Sequence, residues 1–159
     1  MTPHDGEPQP GVGPGLTVLF ATTGFFALFI LGLGVVTLAT ETDVVTAPGL
    51  GQVPGVFASL SATGVFALAL ATVVRSVRPH AVNALWIGLA VGLAYIGGLW
   101  VGAVFTGASL GTATGVAARI ATGWFGVAVV AAAVVAAGGG IALARTRRRR
   151  PRWPWERNE

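Results

Sequence analysis

The sequence has no cysteine and no lysine, and only 10% of its residues are charged, against roughly 25% in an ordinary soluble domain. Without cysteine there is no disulfide, no thiolate metal ligand and no thiol nucleophile. The two histidines, His4 and His80, both lie outside the long apolar runs. Asp, Glu, Lys and Arg are missing from the interiors of those runs as well. Proton-coupled transporters, voltage sensors and intramembrane hydrolases usually need such a group, to carry charge or activate a nucleophile. An enzyme is therefore not expected, and no catalytic, cofactor-binding or metal-binding residue is assigned. Before the first apolar run there is neither the positive segment of a signal peptide nor a Gly at position 2 for myristoylation.

What remains is hydrophobic. The chain has 159 residues, 53% of them hydrophobic, and a mean hydropathy of +0.75. About 20 apolar residues suffice to cross a bilayer as a helix, and four such runs fill most of the length. The expected fold is all-α: a polytopic membrane protein whose four transmembrane helices form an antiparallel bundle over residues 16–144. Spans are expected at about 16–40, 55–74, 81–105 and 120–144. A disordered tail over 1–15, rich in Pro and Gly and without a basic residue, precedes them, and a basic Trp/Pro tail occupies 145–159.

The spans carry packing signals. In the second, Ser59, Thr63, Ala67 and Ala71 recur every four residues and lay small side chains along one face, where a neighbouring helix is expected to approach closely. In the third, Gly88 and Gly92, and again Gly98 and Gly102, stand at the Gly-x-x-x-Gly spacing that lets backbones meet. Intrachain packing is the first reading of these pairs, and a homo-oligomer face is the second. Trp86 and Trp100 are 14 positions apart, about 21 Å along a helix, as for residues at opposite interfaces. Tyr95 between them is a mid-span hydroxyl in need of a partner. Thr106 to Ala118 read as a loop or short interfacial helix. Gly138, Gly139 and Gly140 are expected to weaken or kink the fourth span. A faint echo links Ala62-Thr63-Gly64-Val65-Phe66 to Ala121-Thr122-Gly123-Trp124-Phe125, too short to establish a duplication.

Arginine sets the expected orientation. Nine arginines fall on one side if both termini are cytoplasmic: Arg75, Arg78 and seven in the tail, against Arg119 alone on the other. The pI of 11.4 is thus a local property of the tail. Glu41 and Asp43 are the outer acids, too few for a metal site and suited to solvation or a weak pairing with Arg119. His80 is a solvated loop histidine by default. Ser and Thr hydroxyls are expected to bond within their own helices or across helix contacts.

The tail combines Arg145, Arg147, Arg148, Arg149, Arg150 and Arg152 with Trp153 and Trp155, set off by Pro151 and Pro154. These residues are the candidates for contact with membrane lipids or with a membrane or cytoplasmic protein partner. Nucleic acid is not expected, because no folded reader accompanies the charge. The Pro-Arg-Trp-Pro-Trp-Glu ending, four spans and an acidic first outer loop resemble small uncharacterised integral membrane proteins of actinobacteria. That resemblance implies a bacterial plasma membrane location and transfers no chemistry. The function expected is a non-enzymatic scaffold or accessory subunit whose tail binds anionic lipid or a partner. A small passive channel or transporter, oligomeric and lined by Ser, Thr and Gly faces, is the alternative.

Overall fold

The computed structural model describes residues 13–41, 51–76 and 80–148. They form five α-helices: α1 (Pro14–Thr40), α2 (Val53–Arg75), α3 (Val82–Phe105), α4 (Leu110–Thr122) and α5 (Trp124–Arg148). All but α4 are long and apolar enough to cross a membrane. Pro14 and Pro54 sit in the first turns of α1 and α2, where the missing N–H would have had no helical partner. α1 ends on Glu41, whose φ of 50° turns the chain out of the helix through the left-handed region.

The fourth span begins later than residue 120. Ile120 is buried within α4, and Gly123 is extended, at φ −98° and ψ 172°, so α5 starts at Trp124. Hydropathy alone merges the two helices because Ile120 and Ala121 are as apolar as the first residues of α5. The elbow is tight: a Cβ on Gly126 would lie 2.6 Å from the Ile120 carbonyl oxygen. α4 itself occupies much of the stretch expected as a loop or short interfacial helix. It is capped by Ser109, whose Oγ accepts a hydrogen bond from the Thr112 N–H at 3.1 Å. Ala113, Ala117 and Ile120 recur along its buried face.

α5 runs through Gly138, Gly139 and Gly140 as helix. Ala137 and Ile141 are buried on either side of the triplet, and tertiary packing of that face outweighs the weak helix propensity of glycine. The suggested internal repeat is also not matched in position: Thr63 and Gly64 lie inside α2, whereas Thr122 and Gly123 lie at the α4–α5 break.

Around the bundle, α3 packs between α2 and α5, and α1 closes the ring by packing on α5 and, less extensively, on α2. Phe25 stacks on Phe66 with centroids 4.5 Å apart, and Phe29 meets Tyr95 edge-on at 5.6 Å. Leu70, Val91, Leu99, Val129 and Ile141 fill the space around these rings. Inside lipid such packing, rather than a hydrophobic gain between helices, holds the elements together.

The buried row of α2 is Pro54, Ala58, Ala62, Phe66, Leu70 and Val74. The row of small residues Ser59, Thr63, Ala67 and Ala71 lies beside it, one residue and about 100° around the helix away, and is half-buried. The physical reason is size: Phe66 and Leu70 fill the core, and the small residues beside them flank it.

Candidate functional site

Charge lies at the helix ends. Arg75 closes α2, Arg145 lies in the last turns of α5 and Arg119 lies near the end of α4, and all three are exposed. The backbone of α5 continues through Arg147 and Arg148, so the polybasic run begins as helix. The side chains of Arg147 and Arg148, and all of Arg149, Arg150, Arg152, Trp153 and Trp155, lie outside the described residues, as does Asp43. Glu41 and His80 are exposed. Among the described residues no group of three or more His, Cys, Asp or Glu stands together where it could hold a metal ion.

The two glycine pairs of α3 serve different neighbours. Gly88 and Gly92 face α5: a Cβ on Gly88 would run into Val134 Cγ2, and one on Gly92 would lie 2.7 Å from Val130 Cγ2. Gly98 and Gly102 face α2, where a Cβ would lie 2.7 Å from the Phe57 carbonyl oxygen and 2.7 Å from Pro54 Cα, respectively. Six residues separate Gly92 from Gly98, which turns the second pair roughly 120° around the helix from the first. That rotation allows α3 to wedge between two helices at once.

Most hydroxyls bond back to their own helix. Thr23 donates to the Leu19 carbonyl at 3.0 Å, Ser59 to Gly55 at 2.8 Å, Thr72 to Ala69 at 2.7 Å and Thr122 to Ala118 at 2.9 Å. Ser61 is instead pressed against Gly98. Among the described residues the hydroxyl oxygens of Thr22 and Thr63 are buried without a partner. Tyr95, at mid-span of α3, is itself 2% exposed.

Two clefts converge on Tyr95. One, of about 820 Å³, opens between α1 and α2 and is lined by Phe26, Leu33, Ser59, Leu60 and Thr63 as well as Tyr95. The other, of about 560 Å³, lies between α3 and α5 and is walled by aliphatic side chains such as Leu89, Val130 and Val134. The sequence marks Tyr95 as the unusual mid-span group, but nothing in it marks the α1–α2 seam as open. At the far end of α3, the Trp100 indole N–H donates to Thr114 Oγ1 at 3.2 Å and ties α4 to the bundle. Exposed Phe105, Leu110 and Trp124 surround that junction, with Phe105 stacked on Phe57 at 5.8 Å.

Comparison with known proteins gives one match. A family model described as a family of unknown function, DUF6121, matches residues 15–159. No curated protein and no solved structure matches the chain.

Proposed function

The chain belongs to DUF6121, a family of unknown function, and from its own residues we propose a non-enzymatic membrane scaffold or accessory subunit. In this reading the four long helices form an antiparallel bundle in the bacterial plasma membrane with both termini cytoplasmic. The observation that carries a scaffold over a conduit is the filled axis. Phe25, Phe66, Leu70, Leu99 and Ile141 are essentially inaccessible at the centre, and among the described residues the only buried side chain outside the apolar and aromatic types is Thr17. A passive path for solutes needs a continuous polar lining or a wetted lumen. Stacked rings supply neither.

Helix register supports the antiparallel reading. Gly102 lies against Pro54 and Gly98 against Ser61, so partner numbers on α2 rise as those on α3 fall. Gly140 lies beside Ala21 and Leu70, a contact of the early part of α1 with the late parts of α2 and α5 that supports the same reading. In this reading Arg75 and Arg145 share one end of the bundle. α4 and Arg119 sit at the other, against the end of α3. Arginines gathered on one face favour that face as cytoplasmic, and the α5 helix delivers its basic extension straight to the lipid surface. Each Arg near an anionic leaflet contributes about 1 kcal/mol, enough for several together to hold the tail there or to display it to a partner.

The test is crosslinking in native membranes with the intact chain and a chain ending at residue 145. Partners recovered only with the intact chain support docking through the tail. Identical recoveries reduce the tail to a lipid anchor. Purified protein in liposomes is expected to release ions and small solutes no faster than empty liposomes. Saturable flux above that control would restore the channel alternative.

A further inference from the structure

The first half of α1 and the second half of α5 border a groove of about 240 Å³, walled by Phe20, Gly24 and Leu28 on one side and by Val135, Gly139 and Leu143 on the other. Glycine makes the space. A Cβ on Gly24 or Gly139 would meet nothing within 4 Å, whereas one on Gly140 would lie 3.1 Å from Ala21 Cβ. The helices therefore touch along Ala21 and Gly140 and leave a groove beside that contact, open where Phe20, Val135 and Leu143 are exposed.

Length and position restrict the occupant. At 1.5 Å per residue, Thr17 to Leu28 covers ~16 Å of α1 and Val135 to Leu143 covers ~12 Å of α5. That is the depth of one leaflet in a hydrocarbon core about 30 Å thick, and Leu28 stands at the middle of α1. A helix of a second chain crosses both leaflets, so a groove that stops halfway does not seat it. The volume falls below the roughly 300–1,000 Å³ usual for small-molecule sites, and the Thr17 hydroxyl at the shallow end donates to the Gly13 carbonyl at 3.5 Å. A single hydrocarbon chain fits both limits.

Charge decides what that chain is attached to. Residue numbers on α5 fall as those on α1 rise, because Gly140 lies beside Ala21 and Gly32 beside Ala128. Carried seven residues further, this register sets Arg147 level with Pro14, where α1 begins. Positions 136, 140, 143 and 147 follow one face of α5, so Arg147 stands one turn beyond Leu143 on the groove's own side. No acid occupies the first turn of α1 at this level, and Arg148, Arg149 and Arg150 follow in sequence. We propose that the groove seats one acyl chain of an anionic phospholipid, with its headgroup at the level of Arg147. The inference rests on α1 and α5 spanning the membrane in the proposed bundle. It needs neither a docking partner nor a cytoplasmic assignment of that face.

The test is native mass spectrometry of the full chain equilibrated in micelles with phosphatidylglycerol and phosphatidylcholine of identical acyl chains. One phosphatidylglycerol per chain is expected to stay bound, in clear excess over phosphatidylcholine. Gly24→Leu and Gly139→Leu fill the groove from either wall and should remove that lipid, while Gly64→Leu, with equal room on α2, should keep it. Arg147→Gln should weaken retention roughly fivefold, the equivalent of about 1 kcal/mol for one Arg at an anionic surface, and Arg152→Gln should weaken it less. Retention unchanged in both folded groove variants, or equal losses at the two arginines, would leave the lipid on the tail alone and overturn the proposal. Equal retention of the two lipids would overturn it as well, by making the groove indifferent to headgroup charge. The membrane scaffold survives each of these results, since it requires no lipid in this groove.

Discussion

Four glycine-to-alanine substitutions offer a graded test of how the bundle is held. At Gly98 the added methyl would lie 2.7 Å from the Phe57 carbonyl oxygen and 2.6 Å from Ser61 Oγ, and at Gly102 it would lie 2.7 Å from Pro54 Cα. Ordinary van der Waals separation for such pairs is about 3.5–4.0 Å. α2 and α3 must therefore part by most of an ångström, because backbone cannot swing aside as a side-chain tip can. Overpacking of this kind costs about 1–3 kcal/mol, and the better helix propensity of Ala returns at most about 1 kcal/mol. A net loss of about 1–2 kcal/mol is expected at each site. At Gly92 the obstacle is only Val130 Cγ2, at 2.7 Å, which a rotamer change relieves for about 0.5–1.5 kcal/mol, leaving Gly92→Ala near neutral. Gly64 has nothing within 4 Å, so Gly64→Ala should be neutral or slightly stabilising. Reversible unfolding in bicelles, read from each variant's folded fraction, should rank Gly98→Ala and Gly102→Ala well below Gly92→Ala and Gly64→Ala. If Gly98→Ala is as stable as Gly64→Ala, the close α2–α3 approach is refuted.

Because the chain has no cysteine, single introduced thiols report orientation without background. His80→Cys and Asn158→Cys should resist a membrane-impermeant maleimide in intact cells, while Thr112→Cys on exposed α4 should react; the reverse pattern would invert the topology. Ser109→Ala removes the α4 cap and should cost about 1 kcal/mol locally. Hydrogen exchange should then rise in the first turn of α4 while α3 stays protected, and unchanged exchange would show that the cap contributes nothing. Trp100→Phe removes the indole donor to Thr114 and should raise exchange across α4 without altering the α2–α3 contact; exchange unchanged throughout α4 would show that the indole does not hold it.

The long helices were legible because about 20 apolar residues in succession admit few other structures in lipid. The Gly-x-x-x-Gly spacing marked α3 as the closely approached helix, yet spacing is silent on which neighbour approaches. Only the rotation between Gly92 and Gly98 separates the α5 face from the α2 face. On α2 a repeat of small residues every four positions also fits the row one residue away, Ala58 and Ala62, which continues into Phe66 and Leu70 and is the buried one. Large apolar side chains decide burial where small ones leave it open. The row that is buried on α5, Ala132, Ala133, Ala136, Ala137, Gly140 and Ala144, lies in an Ala/Val/Gly run with little contrast between faces. A helix apolar on all sides carries no moment by which to point inward. The α4–α5 break was hidden for a similar reason, since a change of direction at the single residue Gly123 leaves hydropathy unchanged.

The same packing logic bears on the α1–α2 seam. α3 is fixed on two sides by glycine contacts that tolerate almost no separation, so α2, α3 and α5 form the stiff part of the bundle. α1 is different: only 11% of its membrane-spanning window is buried, against 50% for α3, and it leans chiefly on α5. Parting α1 from α2 would disturb the Phe25–Phe66 stack, whereas parting α2 from α3 would separate the more extensive contact that Gly98 and Gly102 allow.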